Sequence, residues 1–290
     1  MSTPAPTLDF ELALAARCGP GRRIVVGIDE VGRGALAGPV AVGACAIEII
    51  DGRTPALPEG VRDSKKLTAR RREALVEPLR AAAAGSAVGW ASPGEIDEVG
   101  IMPALTRAAL RALEALELEI DAILLDGDVD VLSAALASAS GTAPLVELRV
   151  AADRDCASVS AASVLAKVAR DALMVELDEQ TPDYCWASNK GYGSAVHREA
   201  IDRLGAHEQH RRSWRLTSTV PALAPPAPPS LPAPLASPAP PAAAPRLETP
   251  SAPAEPRRSD PAVVEAAAST TAAGVLWDDD WHLYEGKERR

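Results

Sequence analysis

The chain predicts a mixed α/β sheet flanked by helices, followed by a proline-rich tail. Three observations carry this expectation. Two apolar runs rich in β-branched residues, Arg23–Asp29 and Gly38–Ile50, are separated by a sharp glycine-framed turn and read as a hairpin. Short apolar runs then alternate with stretches of helical periodicity, the pattern of a sheet covered by helices. Proline is skewed, with 15 of 26 residues between Pro221 and Pro261, which separates a folded part from the tail.

Residues 1–22 read as a lead-in, with a helical turn or two over Thr7–Ala16. After the hairpin, Asp51-Gly52 marks a turn. Asp63-Ser64-Lys65-Lys66-Leu67 precedes a helix over about Thr68–Ala84, with Thr68 as N-cap and arginine where a capping box would carry an acid. Ser86–Ala91 reads as a strand. Ser92-Pro93-Gly94-Glu95 combines a cap, a proline at the first helical position and a glutamate three residues after the cap. That helix breaks near Gly100 and resumes through Leu105, Leu110, Leu113 and Leu116. Ala122–Leu125 is a short buried strand ending at Asp126-Gly127, and Leu145–Val150 is another, ending near Asp153. From Ser158 the apolar positions Val164, Leu165, Val168, Ala172 and Leu173 recur at helical spacing, and a last helix covers Ser194–Leu204.

The chain is 47% hydrophobic but 3% aromatic, so its core is built from Ala, Val, Leu and Ile. Cys18, Cys45, Cys156 and Cys185 show no metal spacing and read as reduced thiols of a cytoplasmic protein. The N-terminus lacks a basic start and an apolar core, so no secretory signal is expected, and no apolar run is long enough to span a membrane. The net charge of −10 argues against non-specific nucleic-acid binding but leaves room for a local basic surface.

The stretch from Ile24 to Gly34 holds the first functional signal. An apolar strand ends in Asp29 and Glu30, and Gly32-Arg33-Gly34 follows at once. Two acids at a buried strand end cost desolvation unless a cation sits there, and the glycines let backbone turn sharply and approach a ligand. An exposed strand end followed by a tight turn is the bland alternative. Asp126 and Asp153 end two further strands, and strand ends on one sheet edge converge on a common crevice. Four converging carboxylates repel unless divalent cations neutralise them. Oxygen ligands without His or Cys point to Mg²⁺ or Mn²⁺, and to phosphoryl displacement by two metals about 3.5–4 Å apart. Adjacent strand residues point to opposite faces, so Asp29 and Glu30 share a site only if the strand ends or twists between them.

Five ordered motifs together resemble ribonuclease HII. They are Gly27–Gly34 with Ala37-Gly38-Pro39-Val40; Asp63–Leu67; Ala152-Asp153 with Ser158–Val168; Lys190-Gly191-Tyr192-Gly193 with His197; and His210-Arg211-Arg212-Ser213-Trp214. The resemblance covers about residues 23–216. It implies a ribonuclease H-like fold with a helical C-terminal part. It implies an endoribonuclease that hydrolyses the RNA strand of RNA–DNA hybrids and cuts 5′ of single ribonucleotides embedded in duplex DNA, leaving 3′-hydroxyl and 5′-phosphate ends. By position, Asp29, Glu30, Asp126 and Asp153 match the family's metal-binding carboxylates. Gly32, Arg33 and Gly34 match the segment that contacts the ribonucleotide, where backbone close to the sugar senses the 2′-hydroxyl. Tyr192 matches the tyrosine that packs on the sugar of the following deoxynucleotide. Ser160, Ala169, Trp214 and Gly100 depart from the usual Ala, Thr, Phe and Asn, and none touches the carboxylates.

Several residues have competing readings. Asp128 and Asp130 compete with Asp126, and Asp155 with Asp153. Lys65, Lys66, Lys167 and Arg170 are phosphate binders or solvated surface, and the motif context favours phosphate for Lys65 and Lys167. Ser163 and Ser64 donate to a phosphate or cap a helix. Arg211, Arg212 and Arg215 with Trp214 either track a nucleic-acid backbone or form a charged helix end. His197 and His210 read as structural hydrogen-bonding residues. A junction resolvase-type nuclease and a non-catalytic hybrid-binding module are the competing functions; the glycines with Tyr192 argue against the first, the four acids against the second. The expected organisation is a lead-in over 1–22, a catalytic domain over 23–219, a disordered Pro/Ala-rich linker over 220–274 and an acidic, aromatic segment over 275–290. A monomer is expected, with an unidentified protein partner for the tail.

Overall fold

The computed structural model describes residues 5–61, 63–137 and 143–217. The expected linker and the acidic, aromatic segment lie outside these described residues. Strands β1 (Arg22–Val31) and β2 (Val40–Ile50) form the expected antiparallel hairpin, with Arg22 opposite Ile50 and Val31 opposite Ala41. Strand β3 (Gly85–Ala91) pairs antiparallel with β2. On the other side, β4 (Ala122–Asp126) runs parallel to β1, and β5 (Leu145–Arg149) parallel to β4. The sheet order is therefore β3-β2-β1-β4-β5, with β1 in the centre.

The helices are α1 (Asp9–Cys18), α2 (Ala69–Ala82), α3 (Pro93–Val99), α4 (Ile101–Glu114), α5 (Ser133–Ala137), α6 (Ala152–Asp155), α7 (Ala157–Gln180), α8 (Trp186–Asn189) and α9 (Ala195–Leu204). Local chemistry sets their ends. Thr68 caps α2. Ser92 and Glu95 close a reciprocal capping box on α3, at 3.2 and 2.9 Å. Gly100, at φ +83°, turns the chain between α3 and α4.

β1 alternates strictly. Ile24, Val26 and Ile28 pack with α4 residues Ala104, Leu105 and Ala108 on one face. Val25 packs with α1, α2 and α7 on the other, through Leu14, Leu79 and Val159. A third cluster, with Tyr184, Trp186, Ala200 and Ile201 around Leu36 and Met174, forms the helical C-terminal part.

Helix α7 lies unusually close to the sheet. A Cβ on Gly27 would stand 2.4 Å from the Ser158 carbonyl carbon and the Val159 nitrogen, and one on Gly43 would stand 2.2 Å from the Ala162 oxygen. The facing stretch of α7 is mostly Ala and Ser, and residues 157–166 are all buried. Small residues on both sides thus let a helix backbone touch a strand. In the N-terminal region, α1 is ten residues long and sends Leu14 into the core. Its fully buried Glu11 accepts from the Ser158 N–H at 2.8 Å. A carboxylate there satisfies an amide at the α7 start and opposes the helix dipole favourably.

Gly27→Ala must push α7 off the sheet or strain β1. It should cost about 1–3 kcal/mol of stability, read by urea unfolding. A loss below about 0.5 kcal/mol would contradict the close approach.

Candidate active site

The four acids lie on β1, at the end of β4 and in α6, not as strand ends alone. Asp29 and Glu30 lie inside β1, opposite Gly43 and Val42, and pairing continues through Val31. The strand neither ends nor breaks between them, so they keep the alternation and face opposite sides. Asp29 is 5% exposed on the α7 side, hydrogen-bonded to the Ser163 hydroxyl. Glu30 lines a cleft on the α4 side with Met102, Leu105, Asp126 and Asp128. Asp126 ends β4 as expected, and its Oδ1 accepts from the Ala152 N–H at 2.7 Å. Asp153 departs from the expected strand end. β5 stops at Arg149, Ala151 turns through a left-handed conformation at φ +60°, and Asp153 sits buried in the short helix α6. Among the competitors, Asp130 accepts from the Leu132 and Ser133 amides at 2.9 Å, and Asp155 pairs with Arg149 at 2.8 Å.

These carboxylates sense one another. Burial raises the Asp29 pKa to about 8 against the opposing Ser163 hydrogen bond, and Glu30, Asp126 and Asp153 add to the rise. Burial, Asp63 and Asp126 likewise raise Asp153. Lys65 Nζ stands 3.8 Å from Asp153 with most of its side chain in solvent. Burial works against its charge, while Asp153, Asp29, Asp63 and Asp126 together hold its pKa above the usual lysine value. Among the described residues no three His, Cys, Asp or Glu side chains are drawn together as a ready metal shell. The opposite orientation of Asp29 and Glu30 accounts for part of that spread. The donor set itself, four oxygen acids with excess negative charge, fits a hard divalent cation.

The other expected contact residues divide. Ser163 is buried, 2.8 Å from the Ser64 hydroxyl and bonded to Asp29, so it supports the carboxylate rather than opening to a phosphate. Lys167 gives its Nζ to Asp171 at 2.6 Å, one turn along α7. Arg33 is half-exposed, 3.6 Å from Glu30. Gly32, at φ +86°, presses on Arg170: a Cβ there would meet Arg170 Nε at 2.1 Å. Gly34 has open space above it, so packing does not explain its missing side chain. Tyr192 is 39% exposed, with the Arg170 guanidinium 5.6 Å from its ring centre.

Two residues behind this turn were not legible as scaffolding. Arg170 and Arg211 are both fully buried. Arg170 donates to the carbonyls of Pro39, Lys190 and Ala37 at 2.9, 2.9 and 3.1 Å. Arg211 donates to Gly32, Arg33 and Gly38 at 2.7, 2.8 and 3.2 Å. Arg211 therefore does not track a nucleic-acid backbone, and the segment around it is not a helix end. Burial and the nearby Arg170 bring its pKa down to about 9. A His-Arg-Arg run signals charge but not which arginine is covered; the glycines it clamps were the available clue.

The raised Asp29 pKa has a signed consequence for metal-free protein. The unfolded chain releases this proton near pH 3.8, the folded one near pH 8. Its contribution to stability is intact below about pH 3.8 and is lost as pH rises to 8. Asp29→Asn should therefore raise Tm by about 3 °C or more at pH 8, with the gain shrinking toward pH 4. A gain independent of pH, or a loss at pH 8, would contradict the uncompensated charge.

The ribonuclease HII family model matches residues 26–217. Ribonuclease HII of Streptomyces avermitilis is 44% identical over 216 residues, covering 74% of this chain and 86% of that protein. Ribonuclease HII of Cereibacter sphaeroides is 43% identical over 215 residues, covering 74% and 93%. Among solved structures, ribonuclease H2 of Pyrococcus horikoshii superposes with a TM-score of 0.54 at 28% identity, over 67% of this chain and 94% of that one. Ribonuclease HII of Archaeoglobus fulgidus, solved in complex with PCNA, gives 0.54 at 28% identity, over 68% and 98%. With the family model matching residues 26–217 and these two relatives above 40% identity, the chain belongs to the ribonuclease HII family and is an endonuclease of the ribonuclease H type.

Proposed function

We propose that the protein hydrolyses the RNA strand of RNA–DNA hybrids and cuts on the 5′ side of single ribonucleotides embedded in duplex DNA, leaving 3′-hydroxyl and 5′-phosphate ends. One juxtaposition supports this above all. Asp29, buried without a cationic partner, and Glu30 stand within three residues of a glycine turn whose backbone is open at Gly34. The first half suits phosphodiester chemistry, and the second suits close inspection of a sugar.

In this reading Asp29, Glu30, Asp126 and Asp153 hold Mg²⁺ or Mn²⁺. Cations held by these residues would supply activation of water and charge stabilisation of the leaving oxygen. The chain's own residues do the rest. Ser163 and Ser64 keep Asp29 oriented from below. Lys65, mostly in solvent beside Asp153, is placed to draw in a phosphate. Backbone at Gly32–Gly34 reads the 2′-hydroxyl. The Tyr192 ring stacks on the next sugar, and the Gly191 carbonyl ties its loop to Leu36 and Ala37 at 2.8 and 3.1 Å. Lys167, joined to Asp171, reaches a phosphate only by giving up that pair. We also infer a monomer in the cytoplasm, supported by four free cysteines. No helix among the described residues is long and apolar enough to cross a membrane. A catalytic unit over 23–219, with a protein partner for segment 275–290, completes the reading.

A cleavage assay tests it, on duplex DNA carrying one ribonucleotide with Mg²⁺, with Mn²⁺, or with chelator. Cutting should need the cation. Asp126→Asn should lower kcat at least about 100-fold while hybrid binding persists; normal turnover by this variant would remove Asp126 from the reacting site. Tyr192→Ala should weaken cutting at the single ribonucleotide by about 10-fold, as loss of a stacking contact. Unchanged cleavage there would take Tyr192 out of the reader.

A further inference from the structure

His197 and His210 are both fully buried, and their Nε2 atoms stand 3.0 Å apart. Two neutral imidazole nitrogens at that distance share one hydrogen, and their neighbours decide where it resides. Trp186 Nε1, which can only donate, gives its hydrogen to His197 Nε2 at 3.0 Å. His197 Nε2 is therefore an acceptor. The ring hydrogen of His197 is on Nδ1, which donates to the Tyr192 carbonyl at 2.9 Å. His210 must then supply the hydrogen between the two rings, so Trp186 and His210 share the one lone pair of His197 Nε2, and His210 Nδ1 is left as an acceptor. The His207 backbone N–H donates there at 2.9 Å. One arrangement satisfies every ring nitrogen of the pair, running from His207 N–H to the Tyr192 carbonyl. Burial and the adjacent His197 bring the His210 pKa down to about 4, and burial lowers that of His197, so both rings are neutral in neutral solution.

The relay joins two segments that are distant in sequence. The backbone of His210 bridges to Ala37, Gly38 N–H donates to the Gln209 carbonyl at 2.8 Å, and Arg211 N–H to the Leu36 carbonyl at 2.9 Å. His210 thus belongs to the strip that backs the Gly32–Gly34 turn. Tyr192 belongs to the loop before α9, and its carbonyl is the far end of the relay.

We infer that His197 and His210 are positioning residues: their ring-to-ring hydrogen bond fixes the Tyr192 carbonyl and so sets the gap between the Tyr192 ring and the Gly32–Gly34 backbone. This rests on the proposed reading of Tyr192 as the ring that stacks at a ribonucleotide–deoxynucleotide junction. The competing role is plain structural support, since Trp186 and Tyr184 stack 5.1 Å apart against the same histidines. Plain support would lower the active fraction equally for all substrates. A positioning role changes the ratio between substrates.

The test measures kcat/KM for full-length protein with Mg²⁺ on two substrates, duplex DNA with one ribonucleotide and a uniform RNA–DNA hybrid. Their ratio is independent of the active fraction. His197→Phe, which fills the space without a donor or acceptor, should lower the ratio about fivefold or more, the worth of one lost hydrogen bond. His210→Gln, which retains a donor, should stay within about twofold of wild type. In wild-type protein, ¹⁵N NMR should report the Nδ1–H tautomer for His197 and Nε2–H for His210; this readout stands even where a variant fails to fold. The opposite tautomers, or a folded His197→Phe with an unchanged ratio, would overturn the relay. Wild-type protein that cuts hybrid but ignores the single ribonucleotide would overturn the functional reading together with the relay. Wild-type protein that cuts both, beside an unchanged His197→Phe, would overturn the relay alone.

Discussion

The contact between α7 and the two central strands governs most of what the site can be. Gly27 and Gly43 remove side chains where the helix backbone arrives, and the Ala and Ser face of α7 removes them on the other side. The helix is therefore near enough for Ser163 to bond Asp29 while also meeting Ser64. Water is excluded from Asp29 on that side, and its charge becomes expensive. Glu11 fixes the start of the same helix from α1. A larger residue at any of these points would open the sheet–helix gap and rehydrate the carboxylate.

Charge is distributed in an unusual way around this contact. Acids collect at the end of β4, in α6 and along β1. Two buried guanidinium groups lie behind the adjoining turn, yet they donate to carbonyls of residues 32–39 and 190. Had either arginine faced Asp29, the pair would have neutralised itself and left nothing for a dication. Committing both arginines to main chain stiffens the turn and leaves the buried Asp29 without a cationic partner. The two halves thus depend on the same separation, with buried cations behind the Gly32–Gly34 turn and acids along β1, β4 and α6.

Much of the fold was legible in the sequence because its signals are local. The Ser92–Glu95 box, the Thr68 cap, the Gly100 break and the hairpin around Gly32–Gly38 depend on neighbours within a few residues. The same holds for Asp126, which directly ends an apolar strand. What stayed hidden depends on distant chain. The β2 partner keeps β1 regular through Val31, so Asp29 and Glu30 fall on opposite faces rather than side by side. Asp153 lies in α6 because a left-handed Ala151 redirects the chain after β5. Arg211 and Arg212 are adjacent in sequence, yet only Arg211 is covered. A charged letter does not reveal what packs over it.

We propose that Asp29, Glu30, Asp126 and Asp153 hold divalent metal. Titration calorimetry of Mn²⁺ into full-length protein, in buffers of different ionisation enthalpy, tests it most directly, because a cation that binds Asp29 must displace the proton that burial holds there up to about pH 8. Release of about one proton per protein is expected near pH 7, falling toward zero above pH 9 and lost in Asp29→Asn. Mn²⁺ binding with no proton release near pH 7, or release unchanged in Asp29→Asn, would contradict it.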